Sequence, residues 1–486
     1  VTTRQIAIIG AGIGGLAAGC TAQLLGFRSQ ILEAHALPGG LCTAWMRKGY
    51  TFDGSIHHLA GCRPGTHLHR MWEELGAMPR EVIFPEDLTQ VESPDGRTLT
   101  IFTDLDRLSE HLLTGFPIDR RPILRYLRAV DRMRRYDLLD VTATGPSGLV
   151  RYLPVLSTIV RAGQRTMRQA AGAFRDPFLR RAFPSLQYDW PDTPLLLHLN
   201  VLAQCVARNY GVPAGGSLEF SRAIAERYRE LGGEIRYRAR VSEVLVERGG
   251  AAGVRLSDGE TIRADAVISN AFAHTTIFGL LGGRFIDNRI RSMFQTPEET
   301  ATMGIHVSLG VDRDLSGEPH SLVLLLDQPV TIADRPHDRI PFELFHYDPC
   351  LAPAGKGVVK VLLNTSYPFW KALSENRSRY EDAKARTADG VIAVLELRFP
   401  GLREQIEAID VATPLTTERY TGNGQGFAAG GALPLPMLFA RPMRLPGLRR
   451  FYLVGQSAGG AGIPGCAAMG RNAVRAVRHE FAGDRR

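Results

Sequence analysis

Gln5-Ile6-Ala7-Ile8-Ile9-Gly10-Ala11-Gly12-Ile13-Gly14-Gly15 is the stretch that decides the fold of this 486-residue chain. Four consecutive apolar residues, Ile6 to Ile9, read as a short buried strand, and Gly10 to Gly15 break it. Leu16 to Leu25 then carries apolar residues at helical spacing, and Gly26 ends the helix as a C-cap. Arg28 to Glu33 reads as a second strand. A β–α–β succession within roughly thirty residues fits only a tight parallel unit. Gly10, Gly12 and Gly15 match GxGxxG. Gly10 turns the chain out of the strand, Gly12 lets the backbone approach a pyrophosphate, and Gly15 lets the helix lie close on the strand. The free N–H groups at the helix start, from Ile13 and Gly14, then face the phosphates. Glu33 closes the second strand, where a carboxylate accepts hydrogen bonds from a ribose diol and disfavours a 2′-phosphate.

Hydrophobic residues make up 44% and charged residues 22% of the chain, which excludes a disordered protein. The 51 Gly cluster in short motifs, as backbone pressed against a ligand requires. The net charge of +8 suggests a nucleic-acid partner at first sight. Its distribution argues otherwise: residues 119–181 hold 14 Arg and 5 Asp with no Lys or Glu, a balance of +9, so the remainder is near −1. No zinc finger, helix-turn-helix or stacking motif accompanies the Arg, and no nucleic acid is expected. Six scattered Cys without a CxxC pair predict neither a metal site nor a disulfide framework. The first strand begins at once, without space for a signal peptide, and no apolar run reaches membrane-spanning length. The expectation is a reducing, cytoplasmic setting.

Further along, residues from about 70 to 210 read as mostly helical, with 3.6-type spacing over Leu68–Leu75, Leu105–Leu113 and Ile123–Leu139. Gly215-Gly216 precede a helix from Leu218 to Leu231, followed by a strand over Arg236–Glu247, a hairpin turn at Asp258-Gly259 and a strand over Ala264–Ser269. Ile305–Val311, Ser321–Asp327, Glu343–Tyr347 and Val358–Asn364 alternate as an antiparallel sheet. Ser378–Leu397 reads as a long helix, Phe451–Val454 as a last buried strand, and Ala467–Glu480 as a closing helix.

After Glu33 and Ala34 the chain continues Pro38-Gly39-Gly40-Leu41-Cys42-Thr43. This stretch resembles the long FAD fingerprint of the flavoprotein group that contains amine oxidases, phytoene desaturases, carotenoid isomerases and retinol saturases. Three further segments resemble that group in the same order. Gly49-Tyr50-Thr51-Phe52-Asp53-Gly54 is similar to its aromatic-Asp-Gly element near the flavin. Gly215-Gly216, then Val241, is similar to its second FAD segment, and Ala264 to Asn270-Ala271 to the strand that follows. Val454-Gly455-Gln456, Gly459-Gly460, Gly462-Ile463-Pro464 and Gly470-Arg471 resemble the closing motif of the desaturase and isomerase branch.

The resemblance implies an α/β fold: a Rossmann-like FAD-binding domain of glutathione reductase or amine oxidase type, and an α+β substrate domain with an antiparallel sheet and a helical part. The FAD domain would be discontinuous over 1–75, 215–275 and 410–486. Residues 76–214 and 276–409 would form the substrate domain, its helical part lying near 105–200. FAD contacts are implied for Gly10, Gly12, Ile13, Gly14, Gly15, Glu33, Ala34, Gly39, Gly40, Leu41, Cys42, Thr43, Asp53, Val241, Asn270, Gly455, Gln456, Gly462, Ile463 and Pro464.

The implied activity is desaturation, cis-trans isomerisation or saturation of a hydrophobic polyene or isoprenoid. These reactions share one architecture. An amine oxidase acting on a C–N bond is the alternative, although Leu41 stands where amine oxidases usually carry Arg. A prenyl-binding escort protein on the same fold is a third reading, against which the full run of FAD motifs argues. Thr413-Pro414-Leu415-Thr416 and Arg419-Tyr420-Thr421-Gly422-Asn423 resemble the carotenoid branch, and Ile56-His57-His58 is nearer to retinol saturases. His57 and His58 fall in the flavin-adjacent loop, where an imidazole either carries protons or only holds the cofactor or a carbonyl. Tyr420 and Asn423 are candidates to line the pocket. Ser457 has no nucleophile-elbow setting.

Residues 146–175 mix apolar side chains with Arg151, Arg161, Arg165, Arg168 and Arg175. Arg161, Arg165 and Arg168 are spaced to share one helical face. An apolar face beside a basic one suits peripheral contact with an anionic membrane, and equally a solvated surface.

Overall fold

The computed structural model describes residues 4–144, 146–187, 190–294, 302–423 and 439–483. The strand Gln5–Ile9 lies at the centre of a five-stranded parallel sheet. The order runs Glu234–Arg236, Arg28–Leu32, Gln5–Ile9, Ala266–Ser269, Phe451–Leu453. Three remote stretches of chain thus build one sheet. Ile6, Ala7, Ile8, Ala266, Val267 and Ile268 are fully buried, as a parallel sheet covered by helices demands.

The helix after the glycines spans Ile13–Leu24 and the closing helix spans Gly462–Gly483, each starting earlier than its apolar spacing suggests. Small residues explain the early starts. A Cβ on Gly15 would sit 2.0 Å from the Gly10 carbonyl oxygen, and one on Gly470 would sit 2.0 Å from that of Gly14. Glycine here lets helix meet strand and helix meet helix, which a hydrophobic pattern does not register.

The expected strand Arg236–Glu247 divides in two. Arg238 adopts a φ of 56° and turns the chain. Glu234–Arg236 joins the parallel sheet, while Val241–Glu247 pairs antiparallel with Gly250–Leu256.

A seven-stranded sheet forms the second layer: Ile406–Ala412, Thr302–Val311, Gly357–Ser366, Arg335–Leu344, Ser321–Ile332, Asp87–Glu92, Thr98–Phe102. The last two strands correct the mostly helical reading of residues 70–210. They form a hairpin closed by Ser93 and Gly96, and Asp87–Glu92 pairs parallel with Ser321–Ile332. The helix Arg377–Arg398 packs Val391, Ile392 and Leu395 against this sheet.

Helices Leu105–Gly115, Arg120–Met133, Leu156–Gly163 and Leu195–Val206 fill the expected helical part. Among the described residues no helix is long and apolar enough to cross a membrane. Arg161, Arg165 and Arg168 do not share one helix. The helix ends at Gly163, and Thr166 with Gln169 forms a capping box that starts a separate one, Met167–Ala171. The Arg168 guanidinium is engaged by Asp192, at 2.9 and 3.2 Å.

Candidate functional site

The start of the helix Ile13–Leu24 has no side-chain cap and no acidic residue in its first turn. Its N–H groups and the positive end of its dipole are therefore presented to an anion. Beside it, Gly39 donates its N–H to the Ala11 carbonyl at 2.8 Å, which lays the Gly39-Gly40 loop along Gly12. The Asn270 side chain is wedged between the Gly10–Gly15 loop and Gly455. Added Cβ atoms on Gly12, Gly14 and Gly455 would each come within 2.6 Å of its amide. The Glu33 carboxylate accepts from Ala11 N–H at 2.7 Å and His35 N–H at 2.8 Å. It is fixed at the rim of the cradle with acceptor capacity left for a diol. Ala239 donates to the Glu33 carbonyl, which brings the start of Val241–Glu247 to the same rim. Gly462 opens the closing helix, with Ile463 and Pro464 in its first turn. An uncapped helix start, a close-approach glycine channel and a rim carboxylate together fit a dinucleotide diphosphate and its ribose.

Asp53 is buried one layer further in. Its carboxylate accepts from Ser217 N–H at 2.5 Å, Ser217 Oγ at 2.6 Å and Ser55 N–H at 3.0 Å. It thereby caps the helix Gly216–Glu230. Ser217 Oγ in turn accepts from Ile56 N–H at 2.8 Å, so the loop before His57 hangs from this helix. Cys42 packs on the same helix, its carbonyl accepting from Ser221 Oγ at 2.6 Å. Burial pushes its thiol up to about 12, which makes it a neutral packing group.

His57 and His58 line a chamber of about 60 Å³ between this loop and the seven-stranded sheet. Opposite them stand Glu343 and Lys360, on two adjacent strands paired at that register. His57 Nδ1 meets one Glu343 oxygen, and Lys360 Nζ lies 2.8 Å from the other. Lys360 also donates to the Asp53 carbonyl at 3.3 Å and sits 5.0 Å over the Phe345 ring. Burial alone would raise the Glu343 carboxyl, but the His57 and Lys360 charges beside it hold it well below the usual carboxylate range. Burial, then His320 and His57, pushes the His58 imidazole down to about 3, so it is neutral near pH 7. His306 is likewise held at about 3 by burial and by Lys360. The result is an anchored anion held by Lys360 and His57, with the neutral imidazoles of His58 and His306 nearby.

Most of the predicted residues fall into three places. The Gly10–Gly15 loop, Glu33, Gly39, Gly40, Asn270 and Gly455 form the cradle; Asp53 and Cys42 support it; His57 and His58 reach the chamber. Tyr420 lies elsewhere: it is 51% exposed and rests on the His35 ring, 5.1 Å between centroids. Asn423 is buried beside Thr421, at the edge of the described residues. Sequence reasoning missed Glu343 and Lys360. Lys360 interrupts the run Val358-Val359-Lys360-Val361-Leu362, and a lone charge inside a buried strand is a legible signal.

The sequence profile of the family described as flavin containing amine oxidoreductase matches residues 13–273, more than half the chain. The chain belongs to this family. As a member it is an FAD-dependent oxidoreductase. When bound, the flavin supplies the redox chemistry, and the polypeptide supplies orientation, exclusion of water and proton handling. The chain is 26% identical to a chloroplastic prolycopene isomerase of Daucus carota over 475 residues, covering 93% of this chain and 76% of the relative. It is also 26% identical to a lycopene-forming phytoene desaturase of Pseudescherichia vulneris over 504 residues, covering 96% and 98%. A putrescine oxidase structure aligns with a TM-score of 0.62 at 17% identity over 99% of both chains, which shows the shared fold.

Proposed function

We propose that this flavoenzyme acts on the C–C or C=C bonds of a hydrophobic polyene or isoprenoid. In this reading residues 1–75, 215–275 and 410–486 hold the cofactor, and 76–214 with 276–409 hold the substrate. The carrying observation is the chamber wall, in which Ile56, Leu186, Val323, Phe342 and Phe345 stand beside the Glu343–Lys360 pair and His57. Similarity to a prolycopene isomerase and to phytoene desaturases over more than nine-tenths of the chain supports the same substrate class. His57 is the proposed proton carrier. Glu343 orients it through Nδ1, and Lys360 keeps Glu343 ionised, the arrangement by which a carboxylate fixes an imidazole tautomer.

The route for such a substrate is proposed along the stretch Pro146–Gly163. Val150 is 72% exposed and Leu153 62%, with Leu149, Leu156 and Val160 exposed beside them and Arg161 and Arg165 adjacent. Exposed apolar side chains ringed by Arg suit the surface of an anionic bilayer. The reading is tested by incubating flavin-loaded protein with phytoene, prolycopene and putrescine in turn. Conversion of a polyene without peroxide from putrescine is expected; peroxide from putrescine with every polyene intact would overturn it.

A further inference from the structure

The chamber is more polar than a pure hydrocarbon needs. Gln187 lines it, is 1% exposed, and its Oε1 has no hydrogen-bond partner among the described residues. A buried acceptor left unpaired is costly, and filling the space with hydrocarbon would make that cost permanent. Across the same space His58 is held neutral by burial, and His320 stands with Nδ1 3.3 Å from Asp87. At about 60 Å³ the chamber is well below the roughly 150 Å³ that accommodates benzene, so it admits the end of a chain and not its body.

We infer that this chamber is a subsite for one terminal hydroxyl group of the substrate, held by the side-chain amide of Gln187. The inference rests on the polyene or isoprenoid reading above and narrows it to an oxygenated member of that class. Charge decides against an ionic end group. Glu343 is already engaged by Lys360 and His57, and Asp87 by His320, so an ionic end group would have to displace one of these partners. A hydroxyl both donates and accepts, so it satisfies the Gln187 amide in either orientation.

The test compares geranylgeraniol with the hydrocarbon that carries a methyl group in place of its CH2OH. Each is tritiated, presented at equal mole fraction in one neutral detergent, and binding to the FAD-loaded protein is measured by equilibrium dialysis. The alcohol is expected to bind about tenfold more tightly, the worth of one buried hydrogen bond, and the ratio should collapse in Gln187→Leu. The native protein alone decides the matter should that variant fail to fold. Equal or tighter binding of the hydrocarbon overturns the hydroxyl subsite and leaves the isoprenoid reading standing. Binding of neither probe overturns both.

Discussion

Lys360→Met removes an ammonium while keeping most of the side-chain volume. In the native protein its Nζ lies 2.8 Å from Glu343, 3.3 Å from the Asp53 carbonyl, and the residue is 3% exposed. Without it the Glu343 carboxylate keeps His57 and loses the cation that balances it. Stranding one member of a buried ion pair costs about 3–5 kcal/mol. Unfolding entropy of about 2.1 cal/mol/K per residue over 486 residues gives roughly 1 kcal/mol per kelvin for one cooperative unit. Lys360→Met should therefore lower the melting midpoint by about 3–5 °C. Adding Glu343→Gln removes the stranded charge, and the double variant should recover to within about 2 °C of the native protein. Circular dichroism melts at equal FAD concentration read this directly. A double variant that melts at the sum of the two single losses would refute the claim that the pair is one coupled unit.

Four further outcomes are expected. Gly12→Ala places a methyl 2.5 Å from the Asn270 amide and should purify folded but without yellow flavin; full flavin content would contradict the cradle. His57→Gln should lower turnover of the accepted polyene by about a hundredfold, and unchanged turnover would remove His57 from proton transfer. Acid should weaken the fold early. Burial holds His58, His198 and His306 at about 3 against an ordinary 6.5, so the stability they contribute is complete above pH 6.5 and lost as pH falls toward 3. Asp137, raised by burial to about 6, opposes this with one proton. The net of two protons gives up to about 2.7 kcal/mol per pH unit between pH 6 and 4, and a flat urea midpoint across that window would be inconsistent with it. Finally, liposomes with anionic lipid should sediment the protein at low salt, and Val150→Asp with Leu153→Asp should abolish this; sedimentation unaffected by both changes would place any contact elsewhere.

The cofactor half was largely legible in the sequence because backbone chemistry dictates it. Close approach to a diphosphate demands glycine, and the glycines at 10, 12, 15 and 455 stand at the two loops that meet around Asn270, with Gly39 laid along Gly12. The helix starts were misplaced for the same reason, since Ile13-Gly14-Gly15 and Gly462-Ile463-Pro464 carry little hydrophobic periodicity. The chamber was half legible. His57 and His58 sit next to a recognisable motif, whereas Glu343 and Lys360 come from strands whose register decides that they meet, and register is a long-range property. Tyr420 neighbours in sequence the residues expected at the pocket, yet the helix Pro414–Thr421 delivers it to His35 on the cofactor rim. The Arg face failed locally, because Gly163 and the Thr166 cap interrupt a helix that spacing alone continues.

Bond chemistry on a polyene changes either the mass or the retention of the product. Flavin-loaded protein is incubated without oxygen with phytoene and with prolycopene, the flavin oxidised in one series and reduced beforehand in the other. Products are resolved by chromatography and weighed by mass spectrometry. At least one polyene is expected to lose two hydrogens, gain two hydrogens, or keep its mass at a new retention time. Every polyene returned unaltered in both flavin states would contradict it.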